Sequence, residues 1–256
     1  MSVLVTGAAM GIGEAVALQL AKQGQNLVLV DVAERELAET ARLANEFGVE
    51  TELVIGSVAD EGTAVRAVER GVARFGRLDG LSHNAGIQRY GSVVSTPRET
   101  WDEVIVVNLT SAYLLAGAAV PELEKTKGAV VMMASVQGLA TQHDVAAYTT
   151  AKHGLIGLTK SIAVDFAARG VRANAVAPGS VDTPMLRNAV ALADDPDAVM
   201  TSINQMHPLG RPARSEEIAE IVCFLLSERA SFLTGEVIRV DGGLLSLIGG
   251  SPSNDG

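Results

Sequence analysis

The sequence predicts an α/β fold: a single doubly wound parallel sheet of about seven strands, flanked by helices on both faces. Three observations predict it. Apolar runs alternate with helical patterns along the whole chain, as in strands connected by crossover helices. A glycine-rich turn separates the first apolar run from the first amphipathic stretch. Hydrophobic residues make up 48% of the 256 positions, ample for a buried core. No proline- or glycine-rich linker divides the chain, so residues 1–250 are expected to form one domain. Residues 251–256 are expected to be a disordered tail.

The elements follow in order. Residues 3–5 are a short β-branched run, a strand. The stretch 13–23 is amphipathic and is stopped by Gly24, a helix. Apolar residues 27–30 closed by Asp31 form the second strand, and 34–47 the second helix. Strand 50–55 and helix 61–75 repeat the unit, then strand 80–83. Helix 101–123 contains the longest apolar stretch, 104–120. Asn108, Thr110 and Ser111 interrupt that stretch, so it reads as a buried helix and not a membrane span. Strand 129–134, helix 147–168, strand 172–177, helix 215–226 and strand 236–240 complete the alternation.

The first turn is T-G-A-A-M-G-I-G, residues 6–13. Gly7 allows a tight turn, Gly11 a close backbone approach to a pyrophosphate, and Gly13 close packing of helix on sheet. Met10 and Ile12 lie between them. The helix N-terminus then offers free N–H groups to phosphates. This is a Rossmann-type dinucleotide site, with G-x3-G-x-G spacing rather than G-x-G-x-x-G. Asp31 lies 18 residues after Gly13, near the distance at which an acidic residue meets the adenosine ribose. Its carboxylate would accept hydrogen bonds from both ribose hydroxyls and repel a 2′-phosphate. Met10 offers that phosphate no positive charge either, so the expected cofactor is NAD. Asp31 is equally placed to cap the helix that starts at Glu34.

Tyr148 to Lys152 read Y-T-T-A-K, with Ser135 thirteen residues upstream. Positions i and i+4 share a helix face, so a phenol and an ammonium would project into one cleft. An ammonium beside a phenol favours phenolate and would bring its pKa down from about 10. Such a phenol can take a proton from an alcohol or return one to a carbonyl. Ser135 ends the apolar run 129–134, where its hydroxyl can hold the substrate oxygen. The plain alternative is a surface tyrosine packed on a lysine stem.

Together these residues resemble the short-chain dehydrogenase/reductase family, from Thr6 to Gly243. The motifs fall in the family's order: T-G-A-A-M-G-I-G, H-N-A-G at 83–86, Asn108 in V-N-L-T-S, Ser135, Y-T-T-A-K, P-G at 178–179 and V-D-G-G at 240–243. The resemblance implies a catalytic set of Asn108, Ser135, Tyr148 and Lys152. Tyr148 would exchange the proton and Ser135 orient the reacting oxygen. Lys152 would hold the nicotinamide ribose and lower the pKa of Tyr148, with Asn108 ordering a water between Lys152 and solvent. Asn84, Ala85 and Gly86 would line the cofactor. Val181 and Thr183, after Pro178 and Gly179, would bind the nicotinamide carboxamide. Two positions depart from the pattern. His83 stands where asparagine is usual, a change expected to matter little. Ser57 replaces an aspartate that touches adenine, leaving Val58 to contact adenine through its backbone.

The net charge of −10 makes nucleic acid and anionic membranes unsuitable partners. The single cysteine, Cys223, sits in an apolar helix and is expected to be a core residue. His83, His143, His153 and His207 do not cluster with it at metal-ligand spacing, so no metal is expected. With the first strand at residue 3, no signal peptide is expected, and the location expected is the cytoplasm. Helix 101–123 and the helix after Tyr148 are apolar on more than one face and need a second surface to cover them. In relatives these two helices pack across a subunit interface, which implies a homotetramer.

The segment 183–211 follows the nicotinamide end and is long and mixed in polarity, as suits a lid. Gln88, Gln137, Gln142 and His143 are further cleft candidates, and their donors and acceptors suit a polyhydroxylated molecule. A steroid or long acyl pocket would show more aromatic and aliphatic residues, and aromatics are only 4% of the chain. The stretches 86–91, 135–138, 147–165 and 206–211 resemble the sugar (aldose) 1-dehydrogenase branch, which implies oxidation of an aldose at C1 to its lactone. Gln88, Gln137 and His143 would then hold sugar hydroxyls. The rivals are a 3-oxoacyl thioester reductase, another polyol or secondary-alcohol dehydrogenase, and a non-catalytic dinucleotide sensor. Asp31, Met10 and the acidic balance count against the first; the presence of Tyr148 and Lys152 counts against the last.

Overall fold

The computed structural model of the protein describes residues 1–248. The expected tail, and the last two residues of the expected domain, lie outside them. Seven strands form one parallel sheet: β1 Ser2–Thr6, β2 Asn26–Asp31, β3 Thr51–Ile55, β4 Gly80–His83, β5 Ala129–Met133, β6 Arg172–Pro178 and β7 Val237–Val240. Their spatial order is β3-β2-β1-β4-β5-β6-β7. The chain therefore begins in the middle, winds outward to β3, and returns to lay β4 on the free side of β1. Winding reverses between β1 and β4, and a crevice opens at the carboxyl ends of strands that part in this way. Register aligns Thr6 with His83 and His83 with Met132, so the ends of β1, β4 and β5 meet at one edge.

Strand side chains alternate between two cores, as the two-residue period requires. Val3, Val5, Leu27, Leu29 and Val131 join the core beneath α1 (Gly11–Lys22), α2 (Glu34–Asn45) and α9 (Ser215–Leu226). Leu4, Val28, Val30, Val130 and Met132 join the core on the other face, with residues of α3 (Glu61–Phe75), α5 (Ser111–Thr126) and α6 (Ala146–Phe166). Local signals set the ends. The Asp60 carboxylate accepts from the Gly62 and Thr63 amides at the start of α3, and Gly76 ends that helix at φ 73°, a conformation glycine adopts without steric cost.

Two elements differ from expectation. The expected helix 101–123 is longer and interrupted: α4 (Arg98–Ile105) passes into α5 through one wide π-helical turn, Val106–Thr110. Side chains stabilise that turn. The Asn108 amide donates to Val104 O at 2.9 Å and the Ser111 hydroxyl to Val107 O at 2.6 Å. Such turns inside helices are local insertions, frequent at functional sites, and apolar periodicity does not register them. The run Arg98–Thr126 is long and apolar enough to cross a membrane, with mean hydropathy 1.8 over an 18-residue window within it. Here it lies against the sheet, packed between α3 and α6. The second difference is the expected lid, which is two helices, α7 (Pro184–Ala191) and α8 (Pro196–Met206). Thr183 and Asp195 cap them through their side chains, each followed by proline at the first helical position. The T-P and D-P pairs were a readable start signal.

Candidate active site

Phosphate-loop geometry sets one end of the site. Gly7 and Gly11 have φ of +62° and +61°. A Cβ on Gly13 would lie 2.0 Å from Gly7 O, and one on Gly7 would lie 2.9 Å from Ala85 N. Any side chain at either place would separate α1 from the sheet or β1 from the 84–86 segment. The α1 N-cap, Met10, makes no side-chain cap, so the first amides of α1 stay free for an anion. This cradle fits a dinucleotide pyrophosphate. Asp31 does two things at once. Its Oδ2 accepts from Ala9 N at 3.1 Å, bracing the loop, and its Oδ1 accepts from Val32 N and Ala33 N at 2.7 and 3.1 Å. It thus holds the entry to α2, although Ala33 is the residue at the cap position. Val58 packs against the core, and the Ser57 hydroxyl accepts from Ala59 N.

Strand β5 and helix α6 set the other end. Ser135 follows β5 with extended backbone, and its oxygen accepts from Gln137 N at 3.1 Å. Its hydroxyl proton remains available. Tyr148 and Lys152 stand one turn apart on α6. The Lys152 amine is buried, donates to Met133 O at 2.7 Å, and lies 5.3 Å from the centre of the Tyr148 ring. Burial pushes Lys152 down to about 7. Burial pushes Tyr148 up to about 12; the Ser135 hydroxyl opposes that rise and Tyr90 adds to it. The expected lowering of Tyr148 by Lys152 is therefore corrected for the free protein. Helical spacing brings the two groups together, but the amine is turned to a carbonyl and desolvation dominates both groups.

Asn108 is fully buried and spends its whole amide on the protein. Its Nδ2 donates to Ile87 O and Val104 O, both at 2.9 Å, and its Oδ1 accepts from Ile87 N at 3.2 Å. Its side chain braces the 86–87 segment against the wide turn. A Cβ on Gly86 would lie 2.6 Å from Asn108 Oδ1 and 3.6 Å from Lys152 Nζ, so these three residues form one close-packed group. His83 also corrects an expectation. Ser111 gives its single proton to Val107 O, so it accepts from His83 Nε2–H at 3.2 Å. The Nδ1 lone pair then accepts from the Thr6 hydroxyl at 3.0 Å, and the Thr6 oxygen accepts from Asn84 N and Ala85 N. Burial, with Lys152 nearby, lowers His83 to about 3 and keeps it neutral. A polar residue closing an apolar strand was the only sequence signal for this link.

A cleft of about 340 Å³ joins the two ends. Ile12, Asn84, Gly86, Ser135, Tyr148, Lys152, Pro178, Gly179, Val181 and Thr183 line it, with Gln88, Gln137 and Gln142. His143 does not: it is exposed and outside the cleft, because the 141–144 loop turns it to solvent. Gln137 is buried, donates to Gln142 Oε1 at 2.8 Å, and has no partner for its Oε1. Sequence reasoning missed Tyr90 and the apolar lid face, including Met185, Leu186, Val190, Val199, Ile203 and Met206. That face appears only once α7 and α8 are placed.

Comparison with known proteins agrees with this geometry. Residues 7–245 match the family described as enoyl-(acyl carrier protein) reductase. The chain is 39% identical over 242 residues to cis-4-hydroxycyclohexanecarboxylate dehydrogenase of Sinomonas cyclohexanicum, covering 94% of each chain. It is 36% identical over 243 residues to the 3-oxoacyl-(acyl-carrier-protein) reductase of Thermotoga maritima, covering 94% of this chain and 96% of that one. The ligand-free structure of the aldohexose dehydrogenase of Thermoplasma acidophilum superposes with a TM-score of 0.89 at 32% identity, covering 99% and 97%.

The chain belongs to the short-chain dehydrogenase/reductase family. Members are oxidoreductases acting on hydroxyl groups with a nicotinamide cofactor. When bound, a nicotinamide dinucleotide would supply the partner for hydride transfer. The cleft brings together three groups suited to proton transfer and placement: the Tyr148 phenol, the Ser135 hydroxyl and the buried Lys152 amine.

Tyr148→Phe is expected to lower turnover by about 10²–10⁴-fold while leaving dinucleotide binding, followed by protein fluorescence, nearly unchanged. A base must lose its proton to act, and Tyr148 titrates at about 12 in the free protein. Alcohol oxidation, measured as kcat/KM, should therefore rise from pH 7 to 10; a flat or falling profile would assign the proton to another group.

Proposed function

We propose that the protein is an NAD-dependent dehydrogenase that oxidises a secondary or anomeric hydroxyl, with an aldose oxidised at C1 to its lactone as the substrate that fits best. The carrying observation is a single cleft that holds Ser135, Tyr148 and Lys152 beside the phosphate cradle. Tyr148 takes the proton of the reacting hydroxyl, and Ser135 donates a hydrogen bond to the same oxygen. Lys152, already tied to Met133 O, would hold the nicotinamide ribose. Val181 and Thr183 would meet the carboxamide. The three glutamines that line the cleft suit the hydroxyls at the rim of a sugar ring, and the apolar lid suits its C–H face. The likeness to an aldohexose dehydrogenase supports the same reading.

The choice of NAD rests on the Asp31 carboxylate at the end of β2. Its neighbours, Met10 and Val32, are exposed and uncharged, and Arg35 is paired with Glu36. A 3-oxoacyl thioester reductase is the second reading, favoured by the likeness to the Thermotoga maritima reductase. Asp31 and the net charge of −10 oppose an acidic carrier and a phosphorylated ribose.

We also propose a homotetramer, in the cytoplasm, without nucleic-acid or membrane partners. Tyr113 on α5 and Val164 on α6 are exposed. Gly117 and Gly157 lie within those helices on the solvent side, and among the described residues nothing outside the helix's own backbone lies within 4 Å of a Cβ added to either. A glycine inside a helix costs about 1 kcal/mol relative to alanine, and no neighbour among the described residues explains that cost. A second copy closing on the two helices would.

Three measurements check these readings. With aldoses, polyols, simple alcohols and 3-hydroxyacyl thioesters offered under each nicotinamide cofactor, reduced-cofactor absorbance should rise most with aldoses and NAD. A response confined to thioesters would favour the second reading. Asp31→Ala should narrow the preference for NAD over NADP about tenfold or more, and a wild type that works better with NADP would refute the assignment. Gly157→Trp should shift the mass by light scattering from tetramer to smaller species; an unchanged mass removes α6 from the interface.

A further inference from the structure

The lid leaves and re-enters the fold at one point. Val181 pairs with Ala213, Asp182 N donates to Ala213 O at 2.8 Å, and Ala213 N donates to Ser180 O at 2.9 Å. Residues between these points form a loop closed at its base, free to swing unless its body is fastened. Just beyond α8 the backbone is held by Leu209 N, which donates to Gly242 O at 3.2 Å; the side-chain fastening at the end of α8 comes from His207, which directly follows that helix and is 3% exposed. Its Nδ1–H donates to Ile203 O at 2.7 Å, which leaves Nε2 as an acceptor. That nitrogen accepts from Ser180 N at 3.1 Å. The fit is tight: a Cβ on Gly179 would lie 2.7 Å from Nε2. One neutral ring therefore joins the end of α8 to the turn after β6.

Both ends of this link border the cleft. Ile203 and Met206 line it from the lid, and Gly179, Ser180 and Val181 line it from the turn. His207 itself is not part of the lining. It faces a small cavity behind the lid, with Arg211, Glu217 and Asp241. We propose that His207 is a positioning residue that pins the lid to the nicotinamide-side turn, setting how well the substrate fits rather than how fast the proton moves. This rests on the proposed reading of residues 178–183 as the nicotinamide end of the cleft.

The side-chain requirement is narrow. The residue must occupy the space beside Gly179 and present an acceptor to Ser180 N–H. Leucine fills the space and leaves the amide unpaired. Glutamine can place its Oε1 where Nε2 stands.

The test uses the full chain as wild type, His207→Leu and His207→Gln. Amide hydrogen exchange is measured without cofactor or substrate. His207→Leu should speed exchange across 184–206 about tenfold, the change expected when a buried donor loses its partner. The rest of the sheet should exchange as in the wild type, and His207→Gln should restore most of the protection. In steady-state assays on the best alcohol from the substrate panel, His207→Leu should raise KM about tenfold and leave kcat within about threefold. Unchanged lid exchange in His207→Leu overturns the proposal. So does faster exchange throughout the molecule, or a fall in kcat at constant KM. The exchange measurement needs no turnover, so it decides the lid question even if the sugar reading fails.

Discussion

A buried amine held by one carbonyl organises this protein. Lys152 is enclosed by protein, and its hydrogen bond to Met133 O ties α6 to the end of β5. A charge in such a place is costly, and the group responds by titrating near neutrality. The same contact fixes where Tyr148 and Ser135 stand. Tyr148 is one turn before Lys152, and Ser135 is two residues beyond Met133. Moving the lysine would displace the phenol and the hydroxyl together.

Polar residues of other elements surround that contact. Asn108 uses both ends of its amide to brace residues 86–87 against the wide turn, and Gly86 leaves no room for a side chain between them. His83 joins Thr6, at the entrance of the phosphate loop, to Ser111 at the end of the same turn. The end of β1 and the wide turn are thus linked through a chain of satisfied buried polar groups, and Lys152 of α6 packs against the Gly86 end of it. Such networks are rigid when complete, because each unpaired member would carry its full desolvation cost. Gln137 is the exception among the cleft residues, with a buried oxygen that no protein group satisfies.

Much of this was legible from order and spacing. Alternating apolar runs located the seven strands to within a residue or two at each end. The glycine loop, Asp31 and the Tyr148–Lys152 pair depend on neighbours within one element or one turn, so their spacing alone carried them. In the free protein burial outweighs the expected sharpening of the phenol by the ammonium, because spacing reports proximity, not the direction of a hydrogen bond or the degree of burial. His143 was misplaced for a related reason: a loop's composition does not say which of its side chains faces inward. The lid helices were passed over despite the T-P and D-P signals, since mixed polarity masked their apolar face.

Local pattern was enough for the doubly wound sheet, the glycine loop after β1 and the placement of Tyr148 and Lys152 on one helix face. These follow from periodicity and from chemistry that only a few side chains possess. Tertiary structure alone decided the wide turn at Asn108, the wiring of His83 and His207, and the apolar roof of the cleft. Each depends on groups brought together from distant parts of the chain, as when β1 meets β4 across 77 residues between Thr6 and His83. Long-range packing determines which polar groups find partners, and no local pattern records that outcome.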